Sequence, residues 1–211
     1  LLGFIMFSVI ITLIISFILS KTILKNISSS FYLELPSYRR PKIIKTIISS
    51  IRDKVIFVLG RAIYVSLFAG IILYILSHIF IEGNSLLMYI SKFLDPFSKY
   101  IGLDGPIILA FILGIPANEI VIPILLMIYC SSTNLGNYSN FAELKNLLIS
   151  NGWNYITAIC FILFTICHFP CGTSILTIYK ETSSIKWTIT SIIIPTLVGI
   201  SLCFLTYICL T

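Results

Sequence analysis

Residues 110 to 126 read AFILGIPANEIVIPILL, an apolar run that carries Asn118 and Glu119 at its centre and a proline on either side, Pro116 and Pro123. No other stretch constrains the fold as much. Each proline removes a backbone donor and crowds the preceding turn, so one continuous helix through both is not expected; they read as structural helix breaks. Carbonyls freed at membrane depth are tolerated only where protein or a hydrated cavity covers them. A charged carboxylate at the bilayer centre costs about 2.5–3.5 kcal/mol on insertion scales, so Glu119 needs a partner or a cation. Transporters commonly build midplane ion sites from such discontinuous helices. The structural alternative is a protonated or hydrogen-bonded glutamate, satisfied for example by Asn118.

The premise that this run meets a bilayer rests on composition. The 211 residues are 58% hydrophobic and 10% charged, with mean hydropathy +1.05, whereas soluble domains carry about 25% charged residues. A soluble fold of this size cannot hide so much apolar surface in one core. About 20 apolar residues span a bilayer, and stretches near 2–20, 55–81, 106–129, 153–170 and 187–210 qualify or nearly do. The expected class is all-α: a polytopic helical membrane bundle of about five apolar segments, at least one broken or re-entrant. Its parts are a transmembrane segment over 1–20, a cytoplasmic or interfacial amphipathic segment over 21–54, and a membrane domain over 55–211. The chain begins at Leu1 inside an apolar run, which fits a fragment of a longer protein better than a signal peptide.

Nine of the fourteen basic residues fall between Lys21 and Arg61. They sit between two spanning segments, so a cytoplasmic loop touching anionic lipid is expected there, and nucleic-acid binding is not. Within it Ile43, Ile44, Ile47, Ile48 and Ile51 recur at helical spacing opposite Lys42, Lys45, Arg52 and Lys54. That is the pattern of a helix lying in the interface or packing on its own bundle. Further on, the sequence predicts a surface helix from 84 that ends near Asp95–Pro96, a helix capped by Asp104 with Pro106 in its first turn, and a short helix around Phe141–Ile149. Two topologies stay open. If the proline-flanked run crosses fully, the loop YKETSSIK lies outside; if it is re-entrant, that loop returns to the cytoplasm.

A second constellation is CHFPCGTS, residues 167–174, where thiols, an imidazole and hydroxyls surround Pro170 and Gly172. Pro170 is expected to end the helix, leaving Cys171 and Thr173 on irregular backbone. Thiolate and imidazole favour transition metals over magnesium or calcium, and an oxygen from Glu119 with a sulfur from Cys171 suits ferrous iron. Cys167 reads as a packing residue, and His168 as either a helix-end hydrogen bonder or part of the site. The six cysteines form no CxxC pair, and HExxH, GxSxG and phosphate-loop signatures are absent. The chain is not expected to be an enzyme.

The strings ELPSYRRP, GLDGPIILAFILGIPANEIVIPILLMIY and HFPCGTSILTIYKETSSIKWT together resemble the C-terminal membrane half of the bacterial ferrous iron transporter family FeoB. The resemblance covers nearly the whole chain with the motifs in the same order. It implies the FeoB C-terminal region followed by the second Gate segment, a nucleoside-recognition-like membrane module occupying 55–211. It further implies an N-terminal GTPase domain outside this chain, where GTP and Mg2+ would bind, and Fe2+ as transported substrate. Pro116, Ala117, Asn118 and Glu119 match the family's P-A-N-E stretch; Pro170, Cys171 and Ser174, with Thr173 adjacent, match its P-C-x-T/S stretch. The resemblance thus implies an ion path along Glu119, Cys171, Asn118, Thr173 and Ser174, to which the residue reading adds His168. The partners it implies are the bilayer, the protein's own GTPase domain, small accessory iron-transport proteins and a homo-oligomer, in the bacterial cytoplasmic membrane. The rival readings are a nucleoside or small-molecule transporter of the same architecture and a non-transporting membrane scaffold.

Overall fold

The structure is a computed structural model that describes residues 2–22, 55–81, 83–130 and 141–210, together with Ile44, Ile48 and Ile51. Residues Leu1–Ile48 and Ser49–Thr211 form two separate compact units. The first contains α1 (Leu2–Thr22), 21 residues without an internal break, about 30 Å long and sufficient to cross a bilayer. None of its side chains is buried in protein, as suits a helix whose apolar surface faces lipid. The Thr12 and Thr22 hydroxyls donate back to the Ser8 and Ile18 carbonyls at 2.8 and 2.7 Å, which satisfies them inside hydrocarbon. Lys21 lies 4.5 Å above the Phe17 ring at the helix end, where a long amine reaches the interface. The amphipathic pattern over 43–54 falls largely outside the described residues; Ile44, Ile48 and Ile51 are exposed.

The second unit opens with α2 (Ile56–His78). A two-residue antiparallel hairpin follows, β1 (Phe80–Ile81) with β2 (Asn84–Ser85), Phe80 opposite Ser85. Ser85 accepts the Met88 N–H and caps α3 (Leu86–Lys99). This helix runs through Pro96 rather than ending there. Its buried stripe of Leu87, Ser91 and Ser98, with Leu94 packed against the core, continues past the proline. The bond that Pro96 cannot donate lies on the exposed face.

The proline-flanked run folds as α4 (Gly105–Leu113) and α5 (Val121–Tyr129), joined by a turn that ends in one 3-10 turn over Asn118–Ile120. The two arms are antiparallel. At their open end the Tyr129 hydroxyl donates to Asp104 Oδ2 at 3.1 Å, and at the tip Gly114 packs against Val121. Each arm is nine residues, about 13 Å deep, so the hairpin enters the membrane and returns. Of the two topologies left open by the sequence, this antiparallel hairpin has the shape of the re-entrant one.

After α6 (Phe141–Ser150), α7 (Tyr155–Cys167) and α8 (Gly172–Thr182) together make one apolar crossing of 28 residues, interrupted only at 168–171. The apolar stretch expected to stop near 170 therefore continues eleven residues as α8. Ser183, in the left-handed region at φ 48°, turns the chain into α9 (Ile185–Leu210). This helix runs back antiparallel: Gly199 lies against Phe164 and Cys167, and the Cys203 thiol donates to the Cys160 carbonyl at 3.2 Å. Gly102, at φ +73°, passes so close to Tyr207 and Cys160 that a side chain would not fit.

Buried Ile107, Ala110, Phe111, Ile124, Leu125 and Ile128 of the hairpin form the centre of the core with Cys160, Leu163 and Phe164 of α7. The head of the hairpin, the start of α7 and the end of α9 share one side of the membrane. The end of α8 and the start of α9, with Lys180 and Lys186, lie on the other. Because α2 ends where α3 begins, and α3 packs on the hairpin head, α2 starts on the Lys180–Lys186 side.

Candidate functional site

Both interrupted helices break at the same depth. In the hairpin tip Pro116 lies within the turn, and Ala117 is extended at φ −152° and ψ 115°. Pro123 does not break the helix: it is the third residue of α5, where its missing N–H has no intrahelical acceptor to lose. Opposite the tip, α7 ends at Cys167 and α8 restarts at Gly172, with Pro170 in the gap. The Gly172 N–H donates to the Ile115 carbonyl at 2.6 Å, and a Cβ on Gly172 would stand 3.6 Å from Pro116 Cα. A free donor at a helix start thus meets a free acceptor at a helix break, and each removes the other's cost at membrane depth.

Glu119 and Asn118 stand exposed at the tip of the hairpin. Across the junction Cys171 is the residue before α8, half-buried, with its sulfur 3.1 Å from both Thr173 Oγ1 and Ser174 Oγ. Thr173 and Ser174 lie in the first turn of α8 rather than on irregular backbone, so their hydroxyls and Cys171 are held on one helix end. The contact between the breaks runs through backbone, from Ile115 to Gly172. Among the described residues no group of three or more His, Cys, Asp and Glu is placed to hold a metal ion. The donors at this junction are therefore separate: a carboxylate and an amide on the hairpin, a sulfur and two hydroxyls on α8.

His168 occupies a different environment. Its Nδ1 is 2.8 Å from the Thr165 carbonyl. A carbonyl only accepts, so Nδ1 carries the proton and Nε2 keeps a bare lone pair. That Nε2 is buried without a hydrogen-bond partner, in a ring packed 5.1 Å from Phe111 and 5.3 Å from Phe169. Cys167 is buried, as expected of a packing residue.

Sequence reasoning missed the head of the hairpin. Asp104 precedes α4 but its side chain makes no cap hydrogen bond there; it accepts from Tyr129, whose oxygen in turn accepts from Trp153 Nε1 at 2.7 Å. The vacant Gly105 N–H is taken by Asp95 Oδ1 of α3 at 3.0 Å. Burial raises the Asp104 carboxyl above its ordinary value against the lowering effect of the Tyr129 hydroxyl. For Asp95 burial also raises, but the Lys99 ammonium at 2.8 Å and the Gly105 N–H outweigh it and hold the carboxyl below its ordinary value. A cavity of about 420 Å3 opens beside these groups. The available signal was the pairing of a tryptophan and a tyrosine with a helix-start aspartate at a membrane boundary.

Residues 59–185 match the Gate family, described as nucleoside recognition, and residues 1–52 match the ferrous iron transport protein B C terminus. The chain belongs to the Gate family. Its two matches, in this order, are those of a FeoB C-terminal region. It is 28% identical over 209 residues to the Fe(2+) transporter FeoB of Staphylococcus aureus strain MSSA476, covering 94% of this chain and 30% of that protein. Against the Fe(2+) transporter FeoB of Leptospira interrogans serovar copenhageni it is 25% identical over 230 residues, covering 97% of this chain and 32% of the relative. The Leptospira biflexa relative of the same name is 26% identical over 225 residues, with the same coverage. The chain thus spans about a third of the length of these curated relatives. No solved structure matches it. The Gate match begins within α2 and ends at the first residue of α9, so it contains both helix breaks and the contact between them.

Proposed function

We propose that this chain is the membrane part of a ferrous iron transporter and that Fe2+ passes along the junction between the two helix breaks. The observation that carries the reading is the Gly172–Ile115 hydrogen bond, which brings the hairpin with Asn118 and Glu119 against the helix start with Cys171, Thr173 and Ser174. Fe2+ exchanges part of its water for the Glu119 carboxylate and the Cys171 sulfur, with the amide and hydroxyls as auxiliary oxygens. Such mixed donors suit a borderline cation, and a small number of them keeps binding weak enough for release. His168 borders this path from its aromatic pocket. The chain itself does no catalysis. Gating by GTP and Mg2+ belongs to a GTPase domain of the complete protein, which works in the bacterial cytoplasmic membrane with accessory proteins or further copies of itself.

The test is radiolabelled iron accumulation by cells that lack their own ferrous uptake and express the complete protein. Glu119→Gln and Cys171→Ser are each expected to lower uptake at least tenfold, the effect of losing about 1.4 kcal/mol or more at one step, with unchanged protein in the membrane. Undiminished iron uptake in both variants refutes the path. The Gate family's description favours one other reading, nucleoside transport, which predicts labelled nucleoside accumulation that is insensitive to Cys171→Ser.

A further inference from the structure

We propose that Tyr129 is a positioning residue: its hydroxyl, donating to Asp104 and accepting from Trp153, fixes how deep the Asn118–Glu119 turn of the hairpin stands. The inference rests on the iron-path reading for its functional consequence, but its structural content is independent of it. The hairpin is tied at two levels. At the tip, Ile115 is bonded to Gly172. At the head, Tyr129 closes the two arms on each other and, through Trp153, onto the segment that starts α7. Each arm is a rigid nine-residue helix, so a slip at the head appears undiminished at the tip. A slip of one residue is about 1.5 Å, whereas metal–ligand distances tolerate only about 0.2 Å.

The usual local solution has been set aside to build this tie. Asp104 sits where a helix cap would turn back on its own helix, yet it reaches across to the other arm, and α3 supplies Asp95 in its place. The groups facing Asp104 are Lys92, Asp95 and Lys99 of α3, Tyr129 of α5, and the uncharged Asn151 and Gly152 around the shared cavity; Tyr207 of α9 lies against the neighbouring Gly102. The cavity gives water access to the head, so Asp104 can titrate. A protonated carboxyl is a weaker acceptor for the Tyr129 hydroxyl, and the tie loosens in acid.

The experiment compares the complete protein with its Tyr129→Phe, Trp153→Phe and Asp104→Asn variants in lipid nanodiscs and in cells. Tyr129→Phe keeps the ring and deletes both hydrogen bonds. It is expected to speed amide exchange of the hairpin roughly fivefold or more, as loss of one net hydrogen bond implies, while α7 to α9 exchange as before. Iron uptake falls in parallel, mainly in maximal rate. Trp153→Phe, which removes one donor, gives a smaller change in the same direction and serves if Tyr129→Phe fails to fold. Asp104→Asn retains an acceptor but cannot titrate; it lowers uptake less than Tyr129→Phe and removes the acid-induced speeding of hairpin exchange. Hairpin exchange unchanged in both aromatic variants overturns the tie. Faster exchange with normal uptake overturns its positioning role. Normal uptake in Glu119→Gln instead sinks the iron path and leaves the exchange result standing.

Discussion

Gly105 is the position where a single methyl should do most harm. A Cβ there would overlap the Ser91 carbonyl oxygen and stand 2.9 Å from both the Asp95 nitrogen and the Ser91 carbonyl carbon. All three atoms are backbone of α3, so no side-chain rotation makes room. In Gly105→Ala the start of α4 must move off α3, and the Gly105–Asp95 hydrogen bond of 3.0 Å goes with it. Losing a bond to a charged acceptor costs about 1.5–3 kcal/mol, and overpacking a close helix contact adds about 1–3 kcal/mol. The sum is on the order of 3–5 kcal/mol, against which the gain in helix propensity is roughly 1 kcal/mol. Unfolding of purified protein in detergent, followed by heat or denaturant, is the assay, with Gly3→Ala in the open as the reference. A midpoint for Gly105→Ala equal to that of the reference would refute the close packing of α3 on the hairpin head.

Gly114→Ala poses a mixed case, because its Cβ would overlap a side-chain atom, Val121 Cγ2, and also stand 2.9 Å from the Ala110 carbonyl oxygen; a cost of about 1–3 kcal/mol is expected, and adding Val121→Ala should recover the side-chain part of it in a double-mutant cycle. Asp95→Asn tests the electrostatics of the head: the Asp95 carboxyl is held below its ordinary value, so its stabilisation is fully present above the unfolded carboxylate range and fades only as pH falls through the lowered folded value. The variant should therefore lose about 1 kcal/mol equally at pH 5.5 and pH 8, and a loss that grows between those values would contradict the assignment.

How far the sequence discloses this molecule depends on the kind of signal. The spanning helices announce themselves by length and apolarity, and α1, α2 and α9 fall within a few residues of the expected limits. The break at 114–120 follows from Pro116 beside a polar pair. Pro123 was misleading because the same residue breaks a helix in its interior and suits its first turn; only the true start at Val121 decides which. The expected end of α3 at Pro96 failed for a similar reason, since a buried stripe on the opposite face outweighed one absent bond. The α8 helix was hidden because Gly172 to Thr182 is too polar to read as membrane on its own. It is the second half of a crossing whose first half supplies the apolar signal. The chain from Asp104 through Tyr129 to Trp153 joins residues 24 and 25 positions apart, and no local pattern encodes it.

Placing both breaks at one depth has a mechanical consequence. The Ile115 carbonyl and the Gly172 N–H are each other's partners. If the hairpin and α8 moved apart, two backbone groups would be left bare in the membrane, each costing about 1–3 kcal/mol unless something replaces the bond. Only two kinds of motion escape that cost. Either the hairpin and the α7–α8 crossing move as one body, in which case their donors travel together, or, on the iron path proposed above, water and the cation take over the bond as it breaks. The second route couples opening to the presence of a hydrated ion, because the cation or its bound water satisfies the carbonyl while free water entering with it accepts from the N–H. Iron-dependent acceleration of exchange at Gly172, reversed on chelation, is the signature of that route, and exchange at Gly172 indifferent to iron is the signature of the first.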